Sequence, residues 1–263
     1  MFETPGFEQA PKFPQTIGEC IYCGRRGEAL SDEHVIPFGL GGNWVLREAS
    51  CSVHRDLTSG FEADALNKAW AAARAALGIR TRRKGRRKEG FDVKLEVGTG
   101  VKVVRVPAEL HPAPLAWPIY APPGGTPARA KIPGNPVVRI RTTMRRAAAN
   151  RLGLEHGASA VRVVYPDPLK FARFLGKVGY CVAVACNGLA TTRNAPLLAA
   201  VLSDGPEIFK FVGNDDSQGQ FTVSDEQEVA MGSNELGRVV YVRLIPALQA
   251  QEYIVRIDTP GTG

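Results

Sequence analysis

Hydrophobic positions along this chain repeat with different periods in successive stretches. From Ser52 onward, Leu57, Phe61, Ala65, Leu66, Ala69, Trp70, Ala73 and Leu77 fall three and four apart. That spacing predicts a helix with one apolar face. The run AWAAARAAL favours helix strongly, and Gly78 stands where a C-terminal cap belongs. Upstream, a short strand is expected to end near His34, because Val35-Ile36 is stopped by Pro37. Gly39, Gly41 and Gly42 mark a loop, and Trp44 to Ala49 returns as the second strand of a hairpin. Beyond residue 90 the period becomes two. FDVKLEV alternates strictly, Gly98-Thr99-Gly100 turns, and VKVVRV follows as the partner strand.

Farther on, Val137 to Thr142 and Ala160 to Tyr165 read as strands, with a short helix from Met144 to Leu152 between them. Asp167 is a good N-cap with Pro168 at the first helical position. The segment LKFARFLGKVGYCVAVAC is apolar enough to be a core helix, ended by Asn187-Gly188. Cys181 and Cys186, five apart on it, read as core residues, and Lys177 as a solvated or snorkelling side chain. The tail from Gly219 is mainly β, with Arg238–Ile245 and Glu252–Ile257 pairing as a hairpin that carries an outward arginine on each strand. Nine of the 19 prolines lie from Pro107 to Pro136, so that stretch is expected to be an irregular loop, with Trp117 and Tyr120 pinning it to the body. No repeat, P-loop or dinucleotide fingerprint occurs. The expected organisation is an extended lead-in at 1–17, a compact unit at 18–80, a basic linker at 81–90, and a larger domain at 91–263.

Candidate chemistry concentrates in the compact unit. Cys20 and Cys23 form a C-x-x-C pair, and Cys51 and His54 a C-x-x-H pair. Two intervening residues let one tight turn offer both side chains to one ion, and zinc takes a tetrahedron of sulfur and nitrogen ligands. Three of the five cysteines fall in this window, with a histidine at the fourth ligand position; the spacing therefore predicts a structural Zn2+. Between the pairs lies Asp32-Glu33-His34. His54, Thr58 and Glu62 are four apart and can share one helical face.

Charge adds a partner. The formal net charge is +7, and Arg80, Arg82, Arg83, Lys84, Arg86, Arg87 and Lys88 supply as much from one acid-free segment. Such a segment, placed directly after the metal-binding stretch, suits phosphate contact with a nucleic acid. No run of about 18 apolar residues is present, so no membrane span is expected. The N-terminus lacks a signal-peptide pattern, and the expected location is the cytoplasm, where clustered thiols bind metal.

Cys20, Cys23, Glu33-His34-Val35-Ile36-Pro37, Leu40-Gly41-Gly42 and Cys51 together resemble the zinc-bearing branch of the HNH endonuclease family, over about 45 residues. The resemblance implies an α+β chain in which a small zinc-stapled ββα-metal domain precedes a larger mixed domain. It also implies cleavage of phosphodiester bonds, with double-stranded DNA the expected substrate. His34 would be the general base and Glu33 a ligand to a catalytic Mg2+ or Mn2+. Asn43 sits near the family's middle asparagine, and reads equally as a turn residue after Gly41-Gly42. Arg55 departs from the family's asparagine or histidine, so the last metal ligand is left between Glu62 and His54. A zinc-containing nucleic-acid-binding module without cleavage, or a ribonuclease using the same site, are the alternatives.

Overall fold

A computed structural model describes residues 16–27, 29–79, 90–124, 136–214, 228–234, 237–244 and 252–258. The hairpin and helix expected at its start are present. Strand β1 (Ser31–His34) runs antiparallel to β2 (Val45–Ser50), and helix α1 (Ser52–Ala63) follows at once. The register shifts between Ser31 and Glu33, and at this bulge Glu48 adopts a left-handed φ of 50° and donates its N–H to Asp32 Oδ1 at 3.2 Å. Bulges commonly re-aim side chains. In the connecting loop, Gly41 has φ 87°, and a Cβ on Gly42 would come within 2.0 Å of the Ile36 carbonyl oxygen. The Gly41-Gly42 pair therefore serves the sharp return from β1 to β2.

The helical pattern after Ser52 is realised in two pieces. A wide π-helical stretch, Asp64–Ala69, joins α1 to α2 (Ala71–Ala76), and the left-handed Gly78 follows its end. Asp64 earns its near-complete burial through two partners: Lys68 Nζ at 2.8 Å and the Asp167 N–H at 2.7 Å. Burial pushes its carboxyl upward, but Lys68 and the Asp167 N–H outweigh this and hold it below the usual carboxylate range. A depressed folded value means that the bond's contribution is complete above the unfolded value near 3.8 and is lost as pH falls through the folded one. Asp64→Asn is expected to cost on the order of 1 kcal/mol at neutral pH, roughly 2–4 °C in melting temperature. Thermal melts from pH 7 down to pH 2 should show the gap to wild type closing.

Helix α4 (Pro168–Asn187) is the centre of the molecule. Its start is as read: Asp167 Oδ1 accepts from the Lys170 N–H at 2.9 Å, and Pro168 opens the helix. It is apolar on nearly all sides because it is covered on several. Gly176 packs against Leu197 and Val201 of α6 (Pro196–Leu202), and Gly179 against Val255 of β11 (Glu252–Arg256). A Cβ at Gly179 would meet Val255 at 2.5 Å, so only glycine lets helix and strand approach this closely. Strand β11 belongs to an antiparallel sheet ordered β8-β11-β10-β9, with β8 Val212–Gly213, β9 Glu228–Asn234 and β10 Gly237–Arg243. The other side of α4 meets the β1–β2–α1 unit. One apolar core runs from Cys20, Phe61 and Trp70 through Phe171 to Val240 and Ile257. Residues 81–90 thus separate stretches of chain that share a hydrophobic core.

Remaining elements agree with the sequence pattern in part. Strands β3 (Phe91–Val97) and β4 (Gly100–Val106) form the expected hairpin, joined on its other edge by β7 (Ala160–Arg162), shorter than expected. Helix α3 spans Arg146–His156, and the short α5 (Leu189–Thr192), like α6, was not foreseen. The proline-rich stretch differs most. Leu115–Tyr120 is a buried strand, β5, paired with β6 (Val137–Thr143). Among the described residues β5 has one partner strand, in a two-stranded sheet, which is the edge setting in which Pro118 is tolerated. Trp117 and Tyr120 are core residues, closed off from any base. Residues 125–135 lie outside the described set. In the C-terminal hairpin Arg238 pairs with Asp258 at 2.6 Å, whereas Arg256 is buried and does not point outward as expected.

Candidate metal centre and the acidic cluster beside it

Cys20, Cys23, Cys51 and His54 converge as their spacing predicts. Their ligand atoms lie within 4.8 Å of one another, and among the described residues this is the one group of three or more such side chains placed to hold a metal ion. Cys51 Sγ is 3.2 Å from His54 Nδ1 and 4.0 Å from Cys23 Sγ, and Cys20 Sγ is 3.8 Å from His54 Nδ1. Neighbouring ligands around a tetrahedral zinc stand roughly 3.5–3.8 Å apart, so the donor set and its size both suit zinc. Local backbone makes the site. The Gly24 N–H returns to the Cys20 carbonyl at 2.7 Å, the Cys20 N–H bonds the Arg25 carbonyl at 2.9 Å, and the Ile21 N–H ties this turn to Ala49 of β2 at 2.8 Å. Cys51 stands at the N-cap of α1, which brings His54 back over it after one turn. Burial pushes the Cys20 thiol up to about 11. At Cys51 burial acts the same way, but hydrogen bonds from His54 and the neighbouring thiols win and bring it down to about 7.

Helix α4 grips this centre through consecutive turns. Tyr180 donates its hydroxyl to the Ile21 carbonyl at 2.7 Å. Tyr22 stacks on His54 with ring centroids 5.4 Å apart, and its hydroxyl lies 3.9 Å from Cys181 Sγ. Glu19 reaches Arg26 in the same turn and Arg193 beyond α5, at 3.0 and 2.7 Å. Those two guanidinium groups hold its carboxyl down at about 2.

One turn earlier on α4 stands Lys177. The expectation of a solvated side chain is overturned: Lys177 is fully buried. Its Nζ lies 2.6 Å from Glu33 Oε1 and 3.0 Å from Glu62 Oε1, and it donates to the His34 carbonyl. Burial opposes the charge, but the two carboxylates outweigh it and hold the ammonium above the ordinary lysine range. The signal for this residue was in the sequence. A lone lysine within a wholly apolar helical run must find a carboxylate if it is buried, and Glu33 and Glu62 were already singled out.

The expected catalytic residues are distributed unevenly around this cluster. Glu33 and Glu62, from β1 and α1, do meet, with Lys177 between them. His34 ends β1, half-buried, its ring 6.3 Å from that of Phe38 in an edge-on arrangement. Asn43 is exposed in the loop. Arg55 points to solvent and pairs with Asp56 at 3.1 Å, so α1 offers no metal ligand there. The set expected to hold Mg2+ or Mn2+ therefore does not fit: both carboxylates are engaged by an ammonium group, and His54 faces the thiols. The basic segment from Arg80 to Lys88 lies outside the described residues. Among the described residues no helix is long and apolar enough to cross a membrane. Comparison with protein-family models, curated proteins and solved structures gives no match.

Proposed function

We propose that this protein binds nucleic acid and cleaves its phosphodiester bonds as an HNH-type endonuclease, with DNA as substrate and His34 as general base. The observation that supports this most is the β1–β2–α1 unit itself. It carries a four-residue group that could hold a metal ion, and His34 stands partly exposed at the end of β1, beside the loop through Gly41-Gly42. Cys20, Cys23, Cys51 and His54 would hold zinc with all four positions filled, so that ion would supply folding energy and no open position for water. An imidazole can take a proton from an attacking water at neutral pH. The hairpin and α4 keep the strand end that carries it in place.

A second reading is a zinc-containing nucleic-acid-binding module without cleavage. It is favoured by two observations: Lys177 between Glu33 and Glu62, and Arg55 turned outward. Incubating the purified protein with plasmid DNA and with single-stranded RNA, each in Mg2+, Mn2+ or EDTA, separates the readings. Cleavage of DNA supports the first, and cleavage of RNA alone transfers the activity to RNA. Binding without cleavage in every condition replaces it by the second.

Both readings assign phosphate contact to the basic segment. Replacing Arg82, Arg83, Arg86 and Arg87 by alanine is expected to weaken binding to all sequences alike. The log–log dependence of affinity on salt should flatten by a slope approaching about four on duplex DNA. A fluorescence titration at several salt concentrations reads this directly, and an unchanged slope would reduce the segment to a linker.

A further inference from the structure

We propose that Lys177 is the built-in cation of the acidic centre: its ammonium group, delivered by α4, takes the place between Glu33 and Glu62 that a divalent ion would otherwise fill. This rests on reading the β1–β2–α1 unit as a nuclease-like centre. Two carboxylates brought together from β1 and α1 in the protein interior repel each other and need a counter-charge. An ammonium group has three N–H donors. The His34 carbonyl accepts from it, Glu33 Oε1 stands 2.6 Å away, and Glu62 Oε1 stands at 3.0 Å as an ion-pair partner outside hydrogen-bond geometry. The Lys177 side chain is only 1% exposed, so its ammonium is closed off from a substrate. Lys177 is therefore a positioning residue and does not touch a scissile phosphate.

The alternative occupant is excluded by size and geometry. Mg2+ needs about six oxygens at roughly 2.0–2.1 Å and keeps several waters. With Lys177 Nζ 2.6 Å from Glu33 Oε1 and 3.0 Å from Glu62 Oε1, no such shell fits between the carboxylates. The groups around the ammonium complete the seal. Tyr22 and Cys181, whose hydroxyl and thiol stand 3.9 Å apart, are both buried. What a metal would do by coordination, the lysine does by its charge and by its bond to the His34 carbonyl. It joins β1 to α1, and by holding the carbonyl of His34 it fixes the strand end from which that imidazole projects.

The test uses full-length, zinc-loaded protein and Mn2+ as the probe, counted by electron paramagnetic resonance. Wild type is expected to bind no Mn2+ that is lost in Glu33→Gln or Glu62→Gln. Lys177→Ala should melt at lower temperature, and Mn2+ or ethylammonium should restore part of the loss, while neither shifts wild type. Gain of about one Mn2+ per chain in Lys177→Ala, dependent on Glu33, is the signature of a vacated cation seat. A Glu33-dependent Mn2+ in wild type overturns the proposal, and so does a folded Lys177→Ala that neither Mn2+ nor ethylammonium stabilises. If Lys177→Ala does not fold, the wild-type count decides alone. None of these readings requires cleavage, so failure of the nuclease assignment is registered separately, in the plasmid and RNA assays.

Discussion

Cys20→Ser is expected to abolish metal binding and to unfold the segment around β1, β2 and the first turn of α1. Purified wild type should carry about one zinc per chain, because the four candidate ligand atoms already lie within 4.8 Å of one another. The energy at stake is large: about 10–16 kcal/mol for structural zinc in small domains. Here the effect should spread past the site. Cys20 and Cys51 lie in the shared core, Tyr22 stacks on His54, and Tyr180 of α4 bonds the Ile21 carbonyl. Loss of the ion therefore loosens the face on which α4 rests. Acid should release the metal, since thiolates and a neutral imidazole are needed to bind it. Metal analysis by mass spectrometry, with circular dichroism of Cys20→Ser, checks both points; metal-free protein with this segment still folded would end the zinc assignment.

His34→Ala is expected to lower cleavage by roughly 100- to 10,000-fold, the usual contribution of a positioned base. Zinc content, melting temperature and nucleic-acid affinity should stay near wild type. The ring is half-buried against Phe38, and the bond to Lys177 is made by the His34 backbone, which alanine keeps. Single-turnover cleavage together with binding titrations separates chemistry from affinity. Equal rates in wild type and His34→Ala would remove His34 from the reaction. Glu33 is not an equivalent control: its carboxylate is one of the partners of a buried lysine, so its loss would disturb folding as well as any chemistry.

The convergence of Cys20, Cys23, Cys51 and His54 was legible because each half of it is local. A C-x-x-C turn and a C-x-x-H turn at a helix start are set by a few residues each, and only their meeting is long-range. The hairpin β1–β2, helix α1 and the capped start of α4 were legible for the same reason, since period, glycine and N-cap act over short distances. The strand through Trp117 and Tyr120 was missed because proline density masked it; it is fixed by its partner β6 and by the Tyr253 hydroxyl on the Pro118 carbonyl.

By itself the sequence determined the four candidate ligands, the turns that present them, the order strand–strand–helix, and the apolar helix from Pro168 to Asn187. Those depend on spacing and on near-neighbour chemistry. Only the tertiary structure decided what the acidic residues do. Lys177 is 144 positions after Glu33 and 115 after Glu62 in the chain, and no local pattern joins them. Packing α4 against the β1–β2–α1 unit buries Lys177 and Glu33 and covers most of Glu62, and a buried charge must then be answered by the nearest opposite one. That requirement turned two expected metal ligands into the partners of a lysine.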